Sequence, residues 1–156
     1  MRNDPVDAER RAVLVVEDSD DDFDTVVEAA GRAPVPIRLV RAANADIAQE
    51  LLTLDGSSLF AFMLLDYNLP GLDGLTFLQQ VRRNPLLAGM PAVIFTSSAN
   101  PYERDAFYGA GANAYHVKQV QHSDCLRTVD AIFEYWLNRV ALPGRPAPPS
   151  RQQRSP

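Results

Sequence analysis

The chain has 156 residues, 46% hydrophobic and 22% charged, which fits one globular domain and excludes wholesale disorder. One cysteine, Cys125, and two histidines exclude an intrachain disulfide and a cysteine-rich zinc site, so any metal must be held mainly by oxygen. A net charge of −5 argues against a direct nucleic-acid binder. The longest apolar runs, Ala12 to Val16 and Leu59 to Leu65, fall far short of the ~20 residues of a bilayer span. Met1 to Arg11 is polar, with no secretory h-region, so the expectation is a cytoplasmic protein with no membrane partner.

In chain order, residues 1–10 read as a mobile leader. Ala12 to Val16 is a β-branched apolar run ending at acids, the pattern of a strand covered on both faces. Phe23, Val26, Val27 and Ala30 follow at helical spacing, with Ser19 to Asp22 as a cap and negative helix start. Gly31 and Pro34 end that helix. Val35 to Ala42 is a more polar strand, expected at an edge. Asn44 caps a helix to about Leu54. Leu59 to Leu65 is a third strand, ending at Asp66. A turn through Gly74 leads to a helix marked by Leu75, Leu78 and Val81. Ala92 to Phe95 delivers Thr96, and Pro101 opens a fourth helix. Ala114 to Val117 delivers Lys118, and Ser123 or Asp124 caps a last helix through about Val140. Five strand–helix alternations predict an α/β fold, a parallel sheet with helices on both faces. That domain spans 11–142.

Residues 143–156 carry three arginines and no acid, and are Pro-rich, so a disordered tail is expected. Six acids crowd between Glu17 and Asp24. A solvated charged turn is the ordinary explanation of such a cluster, and a cation site is the other.

Ligands of open parallel sheets bind beyond the carboxyl ends of the strands. There this chain places Glu17 and Asp18, Asp66, Thr96 and Lys118. Clustered carboxylates without nitrogen or sulfur ligands suit Mg²⁺. A lysine and a hydroxyl suit phosphoryl oxygens, and a carboxylate is an established phosphoryl-accepting nucleophile.

The segments Val13-Leu-Val-Val-Glu-Asp18, Leu64-Leu-Asp-Tyr-Asn-Leu-Pro-Gly-Leu-Asp-Gly74, Phe95-Thr-Ser-Ser98 and Gly111-Ala-Asn-Ala-Tyr-His-Val-Lys118 resemble the receiver domain of two-component response regulators. The Glu-Asp start and short chain look most like the small single-domain regulators paired with phytochrome histidine kinases. The resemblance implies a doubly wound, flavodoxin-like sheet of order 2-1-3-4-5 with five helices. It implies phosphorylation of Asp66 by a sensor histidine kinase, and no enzyme activity beyond self-catalysed phosphorylation and dephosphorylation. Asp18, Asp66 and the Asn68 carbonyl would hold Mg²⁺, with Glu17 reaching it through water. Thr96 and Lys118 would bind the phosphoryl group. Thr96 and Tyr115 would form the switch, and Gly74 would keep the turn after the site open.

Asp20, Asp21, Asp22 and Asp24 are read as solvated helix-start charges, and His116 and His122 as surface or strand residues. Gln119 stands where receivers usually have a cis-proline. A trans Lys118–Gln119 peptide is expected, because a cis bond there costs ~2.5–4 kcal/mol. A homodimer through the last helix is expected, with Ile132 and Tyr135 flanking its core arc. Two alternatives remain. One is a Mg²⁺-dependent phosphohydrolase of the haloacid dehalogenase type, although its Asp-x-Asp pair is absent at Asp66–Asn68. The other is a degenerate receiver that binds partners without phosphorylation.

Overall fold

The computed structural model describes residues 12–55 and 60–143. The expected leader and nearly all of the expected tail lie outside them. Five strands alternate with five helices: β1 (Ala12–Val16), α1 (Asp20–Arg32), β2 (Arg38–Ala42), α2 (Ala45–Asp55), β3 (Phe62–Leu65), α3 (Gly74–Arg83), β4 (Ala92–Thr96), α4 (Pro101–Gly109), β5 (Ala114–Val117) and α5 (His122–Asn138). The strands form one parallel sheet of order β2-β1-β3-β4-β5, as the resemblance implies.

Side chains of successive strand residues point to opposite faces, so the apolar strands fill two cores. Leu14, Val16, Met63, Leu65 and Ile94 pack under α2, α3 and α4 with Leu52, Phe77, Leu78 and Phe107. Val13, Val15, Phe62, Leu64, Val93 and Phe95 pack under α1 and α5 with Val26, Ala29, Val129 and Phe133. Among the described residues no helix is long and apolar enough to cross a membrane.

Helix starts follow side-chain chemistry. Ser19, Asp73 and Asn100 each accept a bond from a first-turn amide of α1, α3 and α4. Asn44 does the same for Ile47 of α2. The last helix departs from expectation. It begins at His122 behind Gln121, which makes no side-chain cap, so neither Ser123 nor Asp124 is the cap. The second strand also begins later than expected, at Arg38. Pro36 has no N–H to lend to a ladder.

Two faces are rotated from their sequence assignment. On α1 the buried residues are Val26 and Ala29, while Val27 is exposed. On α5 the buried set is Leu126, Val129, Ile132 and Phe133. Ile132 is therefore corrected: it shares a core with Val93 and Phe95 and is no interface residue. The helix lies on the sheet and also against α1, so its apolar stripe is wider than the assigned arc. Tyr135 is exposed as expected, edge-on against Trp136 at 5.4 Å.

Candidate functional site

Each strand of the inner sheet ends at a residue singled out from sequence. Glu17 follows β1, and its N–H donates to the Ala42 carbonyl at 3.0 Å. Asp66 follows β3, and its N–H donates to the Val16 carbonyl at 3.1 Å. Thr96 closes β4, and its carbonyl accepts from Lys118 N at 2.7 Å. The parallel ladders thus carry the acids, the hydroxyl and the amine to one edge, where β1 and β3 diverge to helices on opposite faces.

At that edge the Lys118 ammonium donates to three carboxylates: Asp22 Oδ2 at 2.8 Å, Asp66 Oδ2 at 3.0 Å and Glu17 Oε1 at 3.2 Å. It lies over the Phe95 ring, 5.6 Å from its centroid. Lys118, Glu17 and Asp66 are buried, whereas Asp22 is half-exposed. Three carboxylates surround one ammonium, and the electrostatics follow. Burial, then the hydrogen bond and charge of Asp66, push the Glu17 carboxyl up to about 9 against the pull of Lys118. Burial alone would lower Lys118, but the Asp22 hydrogen bond and the charges of Asp66 and Glu17 raise it. Burial would raise Asp22, but its bond and ion pair with Lys118 hold it below the usual range.

The residues present fit a divalent cation. Glu17, Asp22 and Asp66 each offer an oxygen within 4.8 Å of the others. Lys118 already sits among those three. The free ligand atom is Asp66 Oδ1, which is buried and has no hydrogen-bond partner. A hard cation supplies what that atom lacks. Asp18 is exposed to solvent, and its carbonyl accepts from Arg41 at 3.1 Å. Asn68 is also exposed, in the loop after Asp66.

Two further groups join the site to α4. Thr96 is fully buried, and its Oγ1 accepts from Ser98 N at 3.5 Å. The Ser98 carbonyl accepts from the Tyr115 hydroxyl at 2.8 Å. The Tyr115 ring packs against Phe107 at 5.8 Å, itself against Tyr67 at 5.7 Å. Burial raises the Tyr115 phenol above its usual value, partly opposed by the Ser98 bond, which keeps it a donor at neutral pH.

Gly74 does more than leave the turn open. A Cβ there would lie 2.0 Å from the Asp66 carbonyl oxygen, so α3 starts directly against the backbone of the acid. No peptide among the described residues is cis, and Lys118–Gln119 is trans as expected. His122 pairs with Glu28 on the surface at 2.8 Å. His116 sits in β5, its imidazole pushed down by burial.

Sequence reasoning missed Asp22, read as a solvated charge. Val26, one turn on, is buried and turns Asp22 toward the sheet, a rotation that the spacing of Phe23, Val26, Val27 and Ala30 alone does not fix. Ser98 lies in the Phe95-Thr-Ser-Ser98 segment, and no sequence signal marks its carbonyl as the acceptor for Tyr115.

Residues 13–130 match the family described as Response regulator receiver domain. The chain is 32% identical over 135 residues to the probable methanogenesis regulatory protein FilR2 of Methanothrix harundinacea, covering 85% of this chain and 87% of that one. It is 31% identical over 137 residues to response regulator Rcp1 of Synechocystis, covering 85% and 93%. The crystal structure of the Mn²⁺-bound form of Rcp1 matches with a TM-score of 0.79 at 30% identity, over 86% of this chain and 99% of that chain. The phosphorylated cyanobacterial phytochrome response regulator RcpA matches with a TM-score of 0.80 at 28% identity, over the same shares. These findings lend nothing to the phosphohydrolase or the phosphorylation-independent alternative. A match that runs through all five strands of the sheet and takes in all the strand-end acids leaves a single assignment: the chain belongs to the response regulator receiver domain family and is a signalling module, not a turnover enzyme.

Proposed function

We propose that a sensor histidine kinase phosphorylates this protein on Asp66. The observation that carries this reading is the Asp66 carboxylate itself, with Oδ2 held by Lys118 and Oδ1 buried and unpartnered. In the transfer an Asp66 carboxylate oxygen attacks the phosphorus of a phosphohistidine. A P–O bond forms as the P–N bond breaks, and the imidazole leaves as the neutral base after taking a proton. Lys118 offsets charge on one phosphoryl oxygen and the Thr96 hydroxyl donates to another. Asp18, Asp66 and the Asn68 carbonyl, with Glu17 through water, would hold Mg²⁺, which supplies charge neutralisation for the phosphoryl oxygens when bound. The same groups serve self-catalysed phosphorylation from small donors, and hydrolysis of the acyl phosphate.

When Thr96 Oγ1 turns to the phosphoryl group, its contact with Ser98 N is given up. Ser98 also holds the Tyr115 hydroxyl, so the change reaches the α4–β5 face. A bacteriophytochrome is the kinase class favoured by the likeness to RcpA. A cytoplasmic location goes with a kinase that draws on ATP. A second copy of the chain docks on the exposed side of α5 around Tyr135.

The test is intact mass after incubation with a small phosphodonor and Mg²⁺. Wild type gains one phosphoryl group and Asp66→Asn gains none. A wild-type yield from Asp66→Asn overturns the assignment.

A further inference from the structure

Arg41, near the end of the edge strand β2, has no part in the chemistry above. It pairs in register with Val15 of β1, two residues before Glu17. Its guanidinium reaches over the β1–α1 loop. Nε donates to the Glu17 carbonyl at 3.1 Å, Nη2 to the Asp18 carbonyl at 3.1 Å, and Nη1 to Asp20 Oδ1 at 2.7 Å. The plane lies over the Phe23 ring, 4.8 Å from its centroid, which fixes it from below. One side chain therefore holds two successive carbonyls, and with them the peptide planes that aim the Glu17 and Asp18 side chains.

We propose that Arg41 is a positioning residue for the cation site, gripping the β1–α1 loop so that Glu17 and Asp18 are aimed for a divalent ion. The inference rests on the reading of these acids as a metal site. Two effects of Arg41 oppose each other. Its positive charge beside the site repels a cation, so charge alone makes Arg41 unfavourable for binding. Its fork organises the ligands, and groups that orient ligands commonly matter 10–100-fold in metal affinity. The Asp20 carboxylate is 87% exposed, so that ion pair adds little and the two carbonyl bonds carry the grip. Lysine keeps the charge but cannot span two carbonyls and a carboxylate in one plane.

The sign of the effect separates the two. Mn²⁺ binding to the full chain is followed by the electron paramagnetic resonance signal of the free ion, at fixed salt. Arg41→Lys is expected to weaken Mn²⁺ binding by about tenfold. Arg41→Gln is expected to weaken it by less, because the lost repulsion offsets part of the loss. Amide hydrogen exchange at Asp18 and Ser19 is expected to quicken in both metal-free variants, with thermal melting showing each still folded. If wild type binds Mn²⁺ while Arg41→Lys binds equally well, or Arg41→Gln binds more tightly, the positioning role is overturned and the metal site stands. If wild type binds no Mn²⁺ at millimolar concentration, the metal site is overturned and the role of Arg41 with it.

Discussion

Asp22 Oδ2 lies 2.8 Å from Lys118 Nζ, nearer than Asp66 Oδ2 at 3.0 Å. The lysine that would serve the phosphoryl group is thus shared with an acid from the first turn of α1. Asp22 is half-exposed, so its hold on Lys118 is weaker than that of a fully buried partner. Phosphorylation of Asp66, as proposed, would place new oxygens beside Lys118, and Asp22 is the partner most easily given up.

Asp22→Asn is therefore expected to keep phosphorylation of Asp66 and to change Mn²⁺ affinity by no more than about threefold, well under the 10–100-fold typical of a lost ligand or its support. Asp18→Ala is expected to lose metal binding and phosphorylation together. Phosphotransfer assays and Mn²⁺ titration of the two variants check this. Loss of Mn²⁺ binding in Asp22→Asn with normal binding in Asp18→Ala would exchange their roles.

Glu17 sets a pH dependence. Its carboxyl is raised from an ordinary 4.5 to about 9, chiefly by burial and then by Asp66. A raised group favours the folded state most below its unfolded value, and that contribution is lost as pH rises through the folded one. Metal-free wild type should therefore lose stability between about pH 5 and 9 relative to Glu17→Gln. Mg²⁺ should oppose the loss by favouring the ionised carboxylate. Urea midpoints measured across this range, with and without Mg²⁺, test the claim. Parallel curves for wild type and Glu17→Gln would refute it.

Gly74→Ala tests the packing of α3 on Asp66. The new methyl would sit 2.0 Å from a backbone carbonyl oxygen, which no side-chain rotation relieves. The helix must shift, at a cost of about 1–3 kcal/mol. Urea unfolding should show that loss, and phosphorylation by a small donor should slow as Asp66 moves. Unchanged stability would mean that α3 shifts without resistance.

The second copy proposed on α5 predicts a dimer by light scattering at micromolar concentration. Tyr135 is 55% exposed, so Tyr135→Arg should give a folded monomer. Ile132→Glu should instead unfold the protein, because it buries a carboxylate in an apolar core. A wild-type monomer, or a dimer indifferent to Tyr135→Arg, sinks the proposal.

Much of this protein was legible in its sequence because the relevant signals are local. Short strand-forming runs ending at Glu17, Asp66, Thr96 and Lys118, β-branched in β1 and β4 and otherwise largely apolar or aromatic, specify both the strands and the edge where their chemistry meets, since a parallel sheet brings all carboxyl ends to one side. Caps at Ser19 and Asn44 are also local, being bonds to amides three residues on. What only the tertiary structure decided depends on neighbours distant in sequence. Ile132 is buried because α5 lies against both the sheet and α1, which no periodicity within α5 encodes. Asp22 faces the site because Val26 and Ala29, rather than Val27, turn toward β1 and β3, and that rotation is set by packing. Arg41 reaches Glu17 and Asp18 only because β2 pairs with β1 in a register that brings residues 24 and 23 positions apart within hydrogen-bonding distance.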